Sequence, residues 1–401
     1  MDYVTEPDRM IHLEQRRRLK MAESAHAYVR GNTLEFYDWL RSDHAPKSIP
    51  VGPPIWICGD CHIGNLGPIA DAEGNIDIQI RDLDQTVVGN PAHDLLRLGL
   101  SLAMAARSSD LPGLTTALMI EVMIDGYIQG LQGKKQKDEA EKIAPVQKVM
   151  RDVSERKWQH LAEEYIHDVT PHIPLGKRLW PLTAVERGLV NALFSKAAQP
   201  GLISRLFGGR KEARMKVLDA AYWVKGCSSL GRLRLAVLLQ VGKKGRRKYR
   251  LIDIKEATKA LAPRAKGAVM PDDNAKRVVM GAEALSPHLG ERMFPTSFDG
   301  KQVVVRELLP QDLKFEFSGL NQAEAIRSAG LLAGVVGKAH GRQMAASDRR
   351  SWARTLKTSY TRSLDAPSWL WNGVVDLVAR HEASYLRHCR AFALASVKRT
   401  R

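Results

Sequence analysis

The chain has 401 residues with 61 Lys and Arg against 44 Asp and Glu, a formal charge of +17. Its length exceeds what one hydrophobic core usually supports, so more than one packed unit is expected, and apolar and charged fractions of 44% and 26% exclude an extensively disordered chain. The longest apolar segment, LGLSLAMAA between Arg97 and Arg107, is too short to cross a bilayer. The charged N-terminus has no secretory apolar region, so a cytoplasmic protein without membrane insertion is expected.

Residues 9 to 42 read as helix, with Leu19, Ala22, Tyr28, Leu34 and Trp39 as apolar positions and a break at Gly31. After a loop from Pro46 to Pro54, IWIC and IDIQI read as short strands, with GPIADAEGN between them as loop and turn. PAHDLLRLGLSLAMAAR, opening at Pro91, carries Leu95, Leu98 and Leu102 at helical spacing. From about 111 to 200 the pattern is helical, interrupted by TPHIPLGKRLWP and containing the charged stretch GKKQKDEAEK.

Around 220 the period changes: RLRLAVLLQV and KYRLIDIKEA read as strands of a hairpin joined by GKKGRR. NAKRVVMGAEAL returns to helix, KQVVVREL is a strand, NQAEAIRSAGLLAGVVGKAHGRQ is a long helix, and the remainder is helical with a break at Pro367. The strand-rich stretch marks a separate unit, which sets expected divisions of 1–45, 46–215, 216–316 and 317–401.

The four cysteines are too few for a disulfide framework. Cys58 and Cys61 form a CxxC, but a structural zinc site needs a second ligand pair and Gly59 and Gly64 argue for a loop. Two reduced, partly buried thiols are expected. His93 and His340 lie on predicted helices and read as ordinary surface or core histidines.

GDCHIGN, residues 59 to 65, carries the chemistry. Asp60 and Asn65 stand on one short loop, and Asp82 and Asp84 follow a strand-like segment. Phosphoryl transfer needs an acid oxygen to orient the acceptor hydroxyl, and an amide oxygen and a carboxylate to hold Mg²⁺ against phosphates. Asp60, Asn65 and Asp82 supply such groups. Because strand residues alternate in direction, only one of Asp82 and Asp84 is expected to face the metal; Asp84 would then bond the loop or hold a second ion.

GDCHIGN resembles the HGDxHxxN catalytic loop of aminoglycoside phosphotransferases and choline-kinase-like enzymes, and RDLDQTVVGNPAHDLLRL resembles their metal-binding segment and the helix after it. The resemblance implies that Asp60 is the catalytic base, that Asn65 and Asp82 hold metal, and that Asp94 braces the loop through its backbone amides. The family's spacing favours Asp82 over Asp84. His62 would order the loop by bonding a backbone carbonyl, and Cys58 replaces the family's leading His.

The resemblance also implies an α+β, protein-kinase-like fold with a mostly helical C-lobe and a small antiparallel-sheet N-lobe. A nucleotide-binding lobe does not fit in the residues before Gly59, but VKGCSSLGRLRLAVLLQV supplies a Gly turn followed by a strand. Gly226, Ser228 and Gly231 would face phosphates, with Ser228 where the pattern usually has Gly. Lys255 closes the next strand as a phosphate-contacting Lys, and Glu283 on the following helix would pair with it, with Glu256 and Glu307 as alternative partners. The order is then a circular permutation, which close termini permit. Most of residues 20 to 340 also resembles a bacterial family known as domain of unknown function 2252, through KMAESAHAYVRGN, WICGDCHIGNLG, RDLDQT, GCSSLG, IKEA and RVV in that order.

The expected function is an ATP- and Mg²⁺-dependent phosphotransferase acting on a small hydroxyl acceptor, with nucleotidyl transfer as a variant of the same cleft. A metallophosphoesterase would use GDxH as metal ligands, but needs further dispersed His and Asp in another order. An inactive nucleotide- or nucleic-acid-binding protein would use the positive charge, yet the basic runs lack interleaved aromatics.

Overall fold

In a computed structural model, residues 4–6, 8–71, 74–134, 171–195, 200–206, 215–242, 248–309, 319–358, 360–361 and 364–397 are described. The N-terminal helical pattern resolves into α1 (Arg9–Glu23), α2 (Ala25–Gly31) and α3 (Thr33–Arg41). Ser24 starts α2 by accepting a hydrogen bond from the Ala27 N–H, a short polar side chain doing what an N-cap requires. Next come β1 (Ile55–Ile57), β2 (Leu66–Ala70), β3 (Ile76–Ile80) and β4 (Val87–Gly89), forming two antiparallel pairs, β1 with β4 and β2 with β3. β2 corrects the loop expected over GPIADAEGN, since Leu66 to Ala70 pair with Ile80 to Ile76. A two-stranded ribbon leaves one edge of each strand unpaired, so Pro68, which has no N–H, is accommodated.

α4 (Ala92–Arg107) is enclosed on nearly every side, which explains why its sequence is apolar well beyond one stripe. It packs with α5 (Gly113–Leu131), while the GKKQKDEAEK stretch beyond Lys134 lies outside the described residues. β5 (Leu179–Trp180), α6 (Ala184–Leu193) and α7 (Pro200–Leu206) follow, so the expected interruption of the helical region contains a strand.

β6 (Met215–Trp223), β7 (Arg234–Val241) and β8 (Lys248–Glu256) then run antiparallel, followed by α8 (Asn274–Leu285), the short α9 (Pro287–Gly290), β9 (Met293–Phe298) and β10 (Lys301–Leu308). They complete a six-stranded antiparallel sheet of order β5-β6-β7-β8-β10-β9. The expected β7–β8 pairing is present; residues 243–247 of its connection lie outside the described residues. Alternation divides the sheet cleanly: Leu235, Val237, Leu239, Ile252 and Ile254 pack on one face, and Ala236, Leu238 and Leu251 on the other. The chain ends through α10 (Gln322–Gly341), α11 (Ala346–Leu356), β11 (Tyr360–Thr361), β12 (Leu364–Pro367) and α12 (Ser368–Val397). The fold is α+β, and among the described residues no helix is long and apolar enough to cross a membrane.

α5 and α10 meet along glycines. A Cβ on Gly126 would strike the Gly330 carbonyl, one on Gly130 the Gly334 carbonyl, and one on Gly337 the Tyr127 carbonyl. Backbone meets backbone with no side chain able to yield, so Gly130→Ala forces the helices apart. We expect it to cost about 1–3 kcal/mol, read as a lowered thermal midpoint; an unchanged midpoint would show that the pair can separate freely.

Candidate functional site

β1 ends at Ile57, and the next residues turn sharply around Gly59, whose φ of +73° is in the left-handed region. A Cβ there would fall on the Gln85 carbonyl, so only glycine fits. Asp94, in the first turn of α4, accepts the Cys58 N–H at 2.7 Å and the Gly59 N–H at 2.9 Å. Cys58, in the position where the family's His was expected, donates its S–H to the Asp82 carbonyl at 3.6 Å. Tyr37 donates to the Gly59 carbonyl. All four cysteines are free, with Cys58 and Cys61 buried.

Behind Asp94 runs a buried relay. His340 Nε2 lies 3.2 Å from Asp94, His340 Nδ1 lies 2.9 Å from the Tyr127 hydroxyl, and Trp352 Nε1 donates to that hydroxyl at 3.1 Å. The indole can only donate, so Tyr127 accepts from it and donates to Nδ1, which places the His340 proton on Nε2, facing Asp94. His340 is thus a core histidine with both nitrogens bonded.

The Asp60 carboxylate is buried. Arg97 Nε donates to one oxygen at 2.8 Å and Thr33 Oγ1 to the other at 3.0 Å. Burial pushes this carboxyl up, against the opposing pull of Arg97 and the Thr33 bond. Asn65 Nδ2 donates to the Asp60 carbonyl at 3.0 Å, leaving its amide oxygen as the group able to ligate. His62 does not make the expected bond to a backbone carbonyl: its Nδ1 has no partner among the described residues and its Nε2 is 3.9 Å from Asp60. Burial, then the charges of Arg30 and Arg97, push this imidazole well below its usual value and keep it neutral.

Lys255, next to last in β8, reaches across to the loop after β3. Its Nζ is 3.0 Å from Asp82 Oδ1 and 2.7 Å from Asp84 Oδ2. Both carboxylates therefore converge, against the alternation expected of a regular strand, because β3 has already ended at Ile80. Burial raises the Asp82 carboxyl, but Lys255 outweighs it and leaves the group well below its usual range. For Asp84, burial and then the Asp82 charge prevail and raise it.

The expected Glu283–Lys255 pair is absent. Glu283 pairs with Arg205 on the outside of α8. The α8 side chain that reaches the site is Arg277, which donates to the carbonyls of Asp84 at 3.0 Å, Thr258 at 2.9 Å and Thr86. Glu283 lies six residues beyond Arg277, about 240° further round the helix, so the two cannot share a face.

The turn between β6 and β7 has Gly226 and Gly231 both at φ +93°, with Ser228 half-buried between them. Lys20 of α1 donates to the Gly226 carbonyl at 2.8 Å. Sequence reading missed the charged layer beneath: Arg234 grips Asp253 with bonds of 2.9 and 2.6 Å, and Arg306 adds one of 3.2 Å. The available signal was parity, since Arg234, Asp253, Lys255 and Arg306 occupy alternate positions in otherwise apolar strands and cross-strand register puts them on one face.

Fold and site together define an α+β protein in which one face of an antiparallel sheet lays a lysine onto a two-carboxylate loop beside a buried, arginine-held Asp60. The chain belongs to the family described as an uncharacterized protein conserved in bacteria (DUF2252), whose model matches residues 9–391. Comparison with curated proteins and with solved structures found no match.

Proposed function

We propose that the chain is an ATP- and Mg²⁺-dependent phosphotransferase with a circularly permuted, kinase-like arrangement, acting on a small hydroxyl-bearing acceptor. The observation that carries the reading is Lys255 bridging Asp82 and Asp84 from 173 and 171 residues away, beside the loop of Asp60 and Asn65. The order of elements supports it as well: a Gly-containing turn between β6 and β7, a lysine on β8, then α8, β9 and β10. The divisions 46–215 and 317–401 would form the helical lobe and 216–316 the nucleotide lobe, with 1–45 packed beside them. α10 would lead back to the catalytic loop, since His340 near its end bonds the Asp94 that holds that loop.

The donor set suits magnesium. Mg²⁺ takes one or two carboxylates and completes its shell with water and phosphate oxygens, so it needs no protein cage. Among the described residues no cluster of three or more His, Cys, Asp or Glu forms one. Asn65 and Asp82 would hold the ion, with Asp84 as a further ligand, and bound Mg²⁺ would neutralise phosphate charge. His62, which a phosphoesterase would need as a ligand, instead feels the cations Arg30 and Arg97.

In the reaction, the ionised Asp60 accepts the proton of the acceptor hydroxyl as that oxygen bonds to the γ-phosphorus and the bond to the bridging oxygen of ADP breaks. Arg97 and Thr33 hold Asp60 in orientation. Lys255 would turn from the carboxylates to the phosphates, while the Gly226–Gly231 turn offers backbone N–H groups to them.

Thermal denaturation with ATP, with and without Mg²⁺, tests the reading. Saturating Mg²⁺–ATP at a hundredfold over Kd should stabilise the wild type by about 2.7 kcal/mol, and Asp82→Asn should abolish the effect. No shift with any nucleotide would remove the proposal. Transfer of label from γ- but not α-labelled ATP distinguishes phosphoryl from nucleotidyl transfer.

A further inference from the structure

Several buried nitrogens around Asp60 lack any task in this scheme. Arg30 Nε, Arg97 Nη1, His26 Nδ1 and His62 Nδ1 meet no hydrogen-bond partner among the described residues. Unmade hydrogen bonds of buried donors are costly and rare, so their convergence calls for a ligand. Arg97 is wholly buried; it spends Nε on Asp60 and Nη2 on the Val29 carbonyl at 2.7 Å, leaving Nη1 over.

The groups come together from three places. His26 and Arg30, one helical turn apart on α2, share a face. The Arg30 guanidinium lies against Gly64, where a Cβ would stand 3.1 Å from its Cζ and Nε. Arg97 projects from α4 and His62 from the loop itself. α1 adds Arg17, bonded to the Gly31 carbonyl at 3.3 Å, and Lys20, bonded to the Gly226 carbonyl. A Cβ on Gly31 would come 2.8 Å from the Cys227 sulfur, so α2 also abuts the β6–β7 turn. Asp60 and Asp82 are the carboxylates that face this group; Arg97 already answers the first and Lys255 the second. Burial, then Arg30 and Arg97, push His26 down to about 4 and His62 well below its usual value. Both rings are neutral under a positive field.

We propose that Arg30, Arg97, His26 and His62 form the acceptor subsite and that the acceptor carries a phosphate-type oxyanion beside the hydroxyl that reacts. This rests on the phosphotransferase reading. An arginine fork matches such an anion, and donors arriving from α2, α4 and the loop suit the several terminal oxygens of a tetrahedral group. A polycationic amine, the acceptor that resemblance to aminoglycoside phosphotransferases suggests, would meet like charge here.

The test uses inorganic phosphate as probe, by calorimetric titration into the full chain without nucleotide or Mg²⁺ at constant ionic strength, with sodium acetate as the carboxylate arm. Among the described residues the Arg30 side chain makes no hydrogen bond or ion pair that holds the fold together, so Arg30→Gln should fold, and an intact Mg²⁺–ATP shift would show it. Expected are saturable phosphate binding in the wild type and in Asp82→Asn, at least about tenfold weaker in Arg30→Gln and partly restored in Arg30→Lys, with acetate much weaker. No phosphate binding, acetate binding as tightly, or binding that survives Arg30→Gln but fails in Lys255→Ala would each overturn the subsite. Loss of the Mg²⁺–ATP shift in the wild type would instead remove the phosphotransferase reading, while phosphate binding that needs Arg30 would remain as a separate result.

Discussion

Asp253→Ala will lower stability by about 3–5 kcal/mol, the usual cost of removing one partner from a buried ion pair. Asp253 is fully buried on β8, with Arg306 directly opposite on β10 and Arg234 reaching it diagonally from β7, where it stands opposite Lys255. Removing its carboxylate leaves two guanidinium groups facing one another across a strand without their common counter-ion. Burial alone would raise the Asp253 carboxyl, but the charges of Arg234 and Arg306, with the bonds from Arg234, outweigh it and hold the group well below its usual range. A carboxyl held low contributes stability that is present above its unfolded value, near 3.9, and is lost as pH falls towards the folded value. Wild type and variant should therefore differ most at neutral pH and converge in acid. Chemical denaturation at several pH values measures this; a cost under about 1 kcal/mol at pH 7 would show that the layer is solvated.

Asp60→Asn should reduce transfer by about 10²–10⁴-fold, the range of a lost general base, while leaving the Mg²⁺–ATP thermal shift in place. Asparagine keeps the size of the side chain and an oxygen for Arg97, but cannot take up a proton. Label transfer from γ-labelled ATP into a bacterial metabolite extract provides the rate before the acceptor is known. Since burial raises the Asp60 carboxyl and the proposed reaction needs its ionised form, the wild-type rate should rise with pH across a limb above the usual carboxylate range. Transfer by Asp60→Asn within a few-fold of wild type would assign the base elsewhere.

Regular, long elements were the legible ones. NAKRVVMGAEAL coincides with α8, and the apolar strands of the β7–β8 hairpin were plain from alternation. β6 was not legible because MKVLDAAYW mixes small and charged residues with its apolar ones, and β2 because Gly67 and Pro68 imitate a turn. At the site, Asp60, Asn65, Asp82 and Asp94 share local motifs, so spacing alone grouped them. Arg97, Arg277 and Asp253 reach the site through packing, and their sequence surroundings are ordinary helix or strand. Glu283 was misplaced for a related reason: helix position was known, but which face α8 turns inward depends on residues far away, such as Thr86 and Thr258, that Arg277 meets.

The relay from Asp94 to His340 spans 246 residues. At about 5–20 residues per second of synthesis, roughly 12–50 s pass between the emergence of the carboxylate and that of its histidine partner. Until α10 has been synthesised, Asp94 has no His340 to bond, so a truncated or stalled product that ends before α10 carries the loop motif without this brace.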